Sequence, residues 1–309
     1  MRLPGHDLSR FPVRRRAAHP VTTPDWDLDD FRAAVTDLQD EIAERVAVED
    51  LRRAETVLVE RLHEPQFAAV LSATPDGLAE SVQRLLLELH NYRPNERSSA
   101  HNLPALVRIY LLSRIESAWW RDTPPYVTNA DLLAATDLVD LDPLRRAGRL
   151  NFRYRRQATT LPARAVRAAE RLCWPNRAPR TAGLRFTRAR PEVVTLINDL
   201  ATRYAQRSPR RTPPLWVTSL ARSVEHQHRL RSLGYAAVLP SSHCTGYGID
   251  LEMTWLRRRG AGDRLAAVLL ERQRAGDVNL IDEGQAWHLC LSPTAAADLR
   301  RDLPAELIG

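Results

Sequence analysis

The sequence predicts an α+β protein, with an all-α N-terminal region followed by a half in which strands and helices mix. Three observations carry this reading. Between about residues 24 and 145, apolar residues recur at steps of three and four, the spacing of one helical face. From residue 150 the period changes, and short alternating or β-rich runs are interleaved with helical stretches. Those strands do not alternate regularly with helices, so a βαβ series building a parallel sheet is not the pattern. At 309 residues, 44% apolar and 27% charged, the chain is long and apolar enough for a sizeable core.

Residues 1–22 read as a flexible basic arm carrying Arg14, Arg15 and Arg16. A helical domain is expected over 23–150. Its first helix begins near Pro24, with Leu28, Phe31, Val35, Leu38 and Ile42 on one face. A second holds Leu51, Ala54, Leu58 and Leu62, and Pro65 reads as a break. A third runs from Leu78 to Leu89 and ends before Pro94. The most apolar helix spans Leu103 to Trp119 and closes at Thr123–Pro125. Thr128 or Asn129 caps a short helix with Leu132 and Leu133. These stripes read as bundle core rather than as a cofactor pocket.

Residues 151–184 read as a connecting segment, with alternation at Asn151–Arg156, a helix near 163–172 and a Pro- and Arg-containing stretch after Trp174. A second domain is expected over 185–309. Pro191 opens a helix with Val194, Ile197, Leu200 and Tyr204 inward. Leu215–Leu220 is β-rich, and Ser223–Leu233 is helical with Gly234 at its C-cap position. Tyr235–Leu239, Gly248–Met253, Val278–Ile281 and Ala286–Leu291 read as strands, with a helix around Leu265–Arg272 and a turn at Glu283–Gly284.

The formal net charge is +7, and every basic residue is arginine. The arginines are scattered, which reads as codon usage rather than a selected surface, so a nucleic-acid partner is not expected. Cys173, Cys244 and Cys290 are odd in number and form no C-x-x-C, which argues against a disulfide framework and a cysteine zinc site. The arginines near the N-terminus are followed by no apolar run, and no spanning segment can be placed. The expectation is a cytoplasmic protein without a membrane partner. The oligomeric state is not encoded in any motif.

Chemistry concentrates in three segments, 217–234, 241–253 and 283–292. His243 and Asp250 stand seven residues apart across Gly246 and Gly248, which permit a tight reversal. His288 lies on another predicted strand. Two imidazoles and a carboxylate are a common zinc ligand set, leaving one position for water, whose pKa the metal lowers. The plainer alternative is a loop histidine at 243 and a half-buried strand histidine at 288. His226 and His228 are two apart on a predicted helix and diverge.

These segments resemble the D-alanyl-D-alanine dipeptidase and carboxypeptidase family of zinc peptidases, part of a wider group with lysostaphin-type peptidases and the hedgehog signalling domain. The family pattern S-x-H-x-x-G-x-[AG]-x-D reads here as Ser241, His243, Gly246, Gly248 and Asp250. Its W-H element reads as Trp287–His288, and its S-x-x-R-S-x-x-x-Q element as Ser219, Arg222, Ser223 and Gln227. The likeness covers about residues 185–295. It implies a small antiparallel-sheet zinc-peptidase-like domain over 185–309, with His243, Asp250 and His288 as zinc ligands. It also implies that Arg222 holds the substrate carbonyl or oxyanion, with Ser241, Trp287 and Gln227 toward the substrate. A structural ion pair is the alternative for Arg222.

One position departs from the pattern. The family places a general-base glutamate three residues before the second histidine, and this chain has Gln285 there. An amide cannot take a proton from water, and loss of a positioned base costs about 100- to 10,000-fold in rate. Glu283 or Glu252 can substitute, or each is an ordinary solvated or structural carboxylate. The expected function is therefore a zinc-dependent hydrolase cleaving an amide bond in a short peptide, a cell-wall precursor or a peptide-type natural-product intermediate. The alternative is a zinc-bearing peptidase fold without hydrolysis, used to bind a peptide or partner or for another zinc-assisted reaction.

Overall fold

The computed structural model describes residues 26–45, 50–93, 99–174, 177–235, 237–304 and 307. The basic arm expected over 1–22 and the helix start at Pro24 lie outside the described residues. The α+β architecture holds, with fourteen helices and seven strands among the described residues.

The helical half opens with α1 (Leu28–Arg45), α2 (Leu51–Arg61), α3 (Pro65–Ala73), α4 (Gly77–His90) and α5 (Leu103–Trp119). Pro65 does not simply end a helix. It occupies the first turn of α3, where its missing N–H costs nothing, and Phe67, Val70 and Leu71 of α3 are buried. Phe31, Leu38, Leu58, Phe67, Leu85 and Leu111 share one apolar core, which also takes in Val238 and Ile281 from the C-terminal half. Helix α5 is buried on nearly every side, because α1, α3 and α4 pack against it from the helical half and a strand packs against it from the other.

Next come α6 (Asn129–Ala134), β1 (Val139–Asp140), α7 (Leu141–Arg146), β2 (Arg153–Tyr154), α8 (Leu161–Cys173), β3 (Arg188–Ala189) and α9 (Pro191–Gln206). A capping box between Thr128 and Asp131 starts α6. The chain continues through β4 (Trp216–Ser219), α10 (Val224–Ser232), α11 (Ser242–Thr245), β5 (Gly248–Glu252), α12 (Thr254–Arg258) and α13 (Gly262–Arg274). It closes with β6 (Val278–Asp282), β7 (Ala286–Leu291) and α14 (Pro293–Arg301).

The main sheet has the order β2-β4-β5-β7-β6, and β1 pairs with β3 separately. Its four inner and distal strands are antiparallel, but β2 runs parallel to β4. The sheet is thus mixed rather than purely antiparallel, and its edge strand comes from the segment expected only to connect two domains. Alternation sends Ile249, Leu251, Leu289 and Leu291 into a core shared with α9 and α13. Asp250, Asn279, Ile281 and His288 face the other way, toward α5.

The strand expected at Tyr235–Leu239 is absent among the described residues. Side chains satisfy its carbonyls instead of a ladder: Gln227 Nε2 donates to Val238 and Arg231 Nη1 to Ala237. Val238 packs on the helical core. No helix among the described residues is long and apolar enough to cross a membrane. All three cysteines are free.

Candidate metal centre

The sheet register sets the site. Asp250 on β5 and His288 on β7 are direct cross-strand partners, so their side chains emerge side by side on the face toward α5. His243 arrives from α11, a single helical turn rather than an open loop. Gly246 ends that turn at φ +85°, in the left-handed region. Gly248 then begins β5, where a Cβ would stand 2.7 Å from the His243 backbone nitrogen and 2.9 Å from its imidazole Cγ. The two glycines thus serve different ends, one for backbone handedness and the other for room beside the ring.

One ligand atom each from His243, Asp250 and His288 lies within 4.8 Å of the others, and all three residues are buried. Asp250 Oδ1 stands 3.1 Å from His243 Nε2 and 2.8 Å from His288 Nδ1. The far ring nitrogens are occupied elsewhere. His243 Nδ1 donates to the Leu220 carbonyl at 2.8 Å, and His288 Nε2 faces Glu116 Oε2 at 2.9 Å. The nitrogens turned toward Asp250 are therefore the ones available to a cation, the arrangement metal-ligating histidines commonly show. This buried His-Asp-His group can bind a metal ion.

Glu116, near the C-terminal end of α5, is a site residue that the sequence reading does not single out within the Leu103–Trp119 helix. Its Oε2 accepts from Ser242 Oγ at 2.6 Å, and its Oε1 from Asn279 Nδ2 at 2.9 Å. The one signal available was an acid in the most apolar helix of the chain, where a buried charge requires partners. Nothing in the spacing says that those partners lie more than a hundred residues away.

Arg222 sits between β4 and α10, at the strand-to-helix junction. Its Nη2 donates to Asp250 Oδ2 at 2.7 Å, its Nε to Ser219 Oγ at 2.7 Å and its Nη1 to Gln227 Oε1 at 3.4 Å. The ion-pair reading of Arg222 is thus realised, with the candidate metal ligand itself as the partner. Arg222 also lines the cavity described below.

The charges are strongly coupled. Burial alone would raise the Asp250 carboxyl, but His243 and Arg222 outweigh it and hold it well below the usual carboxylate range. Burial would lower the His288 imidazole, yet Glu116 and Asp250 hold it well above its ordinary value. His243 is lowered by burial and by Arg222. His288 thus stands between two carboxylates, Glu116 on its Nε2 side and Asp250 on its Nδ1 side, which favours its charged form.

The site opens into a cavity of about 560 Å³, walled by both halves of the chain. Ser241, Gln227, Glu252, Glu283 and Gln285 line it together with the three candidate ligands. Glu283 and Gln285 do not share a strand face, because Glu283–Gln285 forms the turn between β6 and β7. Ser99 Oγ donates to Glu283 Oε2 at 2.8 Å, and burial followed by the charge of Asp250 pushes the Glu283 carboxyl up to about 7. Gln285 is exposed, and its carbonyl accepts from the N–H groups of Met253 and Thr254. Glu252 accepts from the Trp255 N–H at 2.9 Å, at the start of α12.

Trp287 is placed differently from the expectation. It precedes His288 on β7, so alternation turns it to the opposite sheet face, into the core and away from the cavity. His226 lines the cavity against Phe186, while His228 is exposed, so the two diverge as expected. Burial, Arg222 and Arg185 lower the His226 imidazole to about 4. Compared with family models, with curated proteins and with solved structures, the chain matches none of them.

Proposed function

We propose that the chain is a zinc-dependent hydrolase that cleaves an amide bond in a short peptide or peptide-like small molecule. The observation that carries this reading is the convergence of His243 Nε2, His288 Nδ1 and an Asp250 oxygen on one buried point at the wall of a large cavity. Two imidazoles and one carboxylate fit zinc, and the far nitrogens are already committed to Leu220 and Glu116. The motif resemblance to D-alanyl-D-alanine peptidases over residues 185–295 supports the same choice of metal and substrate class. A bound zinc would supply Lewis acidity and lower the pKa of a water in its open position.

The remaining work falls to side chains. Arg222 lines the cavity, where its guanidinium orients a substrate carbonyl and offsets developing negative charge. Glu283 takes the general-base role that Gln285 cannot fill. Ser99 fixes one of its carboxylate oxygens, and the other is left to take a proton and return it to the leaving amine.

A second reading is favoured by Gln285: a zinc-bearing fold that holds a peptide without cleaving it. Elemental analysis of the purified full chain, followed by assay of a short-peptide library, separates the two. The first reading expects one zinc per chain, turnover, and a loss of about 100- to 10,000-fold in Glu283→Gln. Zinc with no turnover in the wild type, but turnover in Gln285→Glu, selects the second. A chain that neither retains nor takes up zinc overturns both.

A further inference from the structure

We infer that Glu116 is a positioning residue of the metal centre. It holds the Nε2 proton of His288 and so commits Nδ1 to the cation, and the helical half thereby completes a centre whose three ligands all come from the sheet half. The inference rests on the proposed reading of the His-Asp-His group as a metal site.

The geometry points to this role rather than to ligation. Glu116 lies on the Nε2 side of the His288 ring and Asp250 on the Nδ1 side, at 2.9 and 2.8 Å. Both Glu116 oxygens are engaged, Oε2 by Ser242 and His288 and Oε1 by Asn279. Asn279 also donates to the Leu112 carbonyl, one turn back on α5, so the carboxylate is tied to its own helix through a β6 side chain. Glu116 is 3% exposed, and a carboxylate at that depth is costly unless it is fully partnered. Besides accepting from Ser242 and Asn279, the carboxylate supplies an acceptor that selects which nitrogen of His288 carries the proton. Carboxylate partners of ligating histidines raise ligand basicity and fix ring orientation, and their loss typically weakens metal binding about 10- to 100-fold.

The test is a competition titration of zinc against a chromophoric chelator, on metal-stripped full chain, for wild type and Glu116→Gln. Long-range nitrogen–proton spectra of the histidine side chains are recorded on the zinc-loaded wild type. The expected result is a dissociation constant raised about 10- to 100-fold in Glu116→Gln, with His288 in the loaded wild type protonated at Nε2 and bound through Nδ1. A purely structural ion pair would lower the unfolding temperature of the metal-free variant and leave zinc affinity where it was. Unchanged affinity in a folded Glu116→Gln overturns the inference while leaving the metal site standing. Should the variant fail to fold, the spectra decide alone, because a His288 bound through Nε2 overturns it. A wild type that takes up no zinc at all overturns the underlying reading instead.

Discussion

The two halves of the molecule use different faces of one helix for different ends. Along most of α5, the buried residues Val107, Leu111 and Ile115 pack into the helical core with Phe31, Leu38 and Phe67. At its C-terminal end, Glu116 leaves that apolar environment and meets the polar cluster of the sheet half. The helical half buries mostly hydrocarbon, and the sheet half concentrates charge on the one sheet face that looks toward α5. The chemistry is thereby set apart from both apolar cores and reached from the helical half through the last turn of α5, and substitutions on the two sides should have distinguishable signatures.

The largest effect is expected on the charged side. Asp250 is the only one of the three candidate ligands that also neutralises Arg222 and His288. Asp250→Asn should abolish stoichiometric zinc uptake. It should also destabilise the fold by about 3 kcal/mol, because breaking a buried pair leaves the remaining charges uncompensated. Urea unfolding and metal analysis on the same preparation read both. Loss of metal with unchanged stability would mean that the charges are better solvated than their burial indicates.

Leu111→Ala tests the apolar side. Leu111 is fully buried in the helical core, and truncation there should cost about 2–5 kcal/mol. Zinc affinity of the folded fraction should be unchanged, since Leu111 touches the site only through the helix that carries Glu116. A parallel loss of affinity would show that the two regions are coupled through the whole of α5 rather than through its last turn.

Gly248→Ala probes the junction between them. The added methyl would crowd the His243 backbone nitrogen, the Ser242 hydroxyl at 2.8 Å and the imidazole. Overpacking of that kind costs about 1–3 kcal/mol, and here it should also displace one ligand. Weakened zinc binding at modest loss of stability is the expected pair of results. Gly246→Ala, at positive φ, should instead act mainly through backbone strain.

How much of this was legible beforehand follows from what is local. The stripe Leu28, Phe31, Val35, Leu38, Ile42 gives α1 because helix periodicity is local, and four of those five residues are fully buried. The His243–Asp250 spacing across two glycines marked out the cluster for the same reason. Pro65 misled because a proline suits the start of one helix as well as the end of another. Tyr235–Leu239 misled because a β-rich run needs a neighbouring edge, and Gln227 and Arg231 take its carbonyls instead. The parallel strand β2 and the contact of Glu116 with His288 were not legible at all. Both depend on segments far apart in the chain, and no local period records them.

The dependence on pH sharpens the contrast between Glu116 and Glu283. Both glutamates face the candidate ligands, but Glu116 is held below its ordinary value by His288, while Glu283 is held up to about 7. In chelator-treated protein, the unfolded chain gives up the Glu283 proton near the ordinary 4.5 and the folded chain only near 7. Between those values the folded state binds the extra proton, so rising pH lowers stability, and the loss is complete above about 7. Glu283→Gln removes that dependence. Its stability relative to wild type should rise across the window and level off beyond it, as read by denaturant midpoints at half-unit intervals of pH. Zinc should narrow the difference, because a cation beside Asp250 offsets the negative charge that helps to hold Glu283 protonated. A difference that is flat with pH would place Glu283 in ordinary solvent contact and remove it as the base, leaving Glu252 as the remaining carboxylate candidate in the cavity.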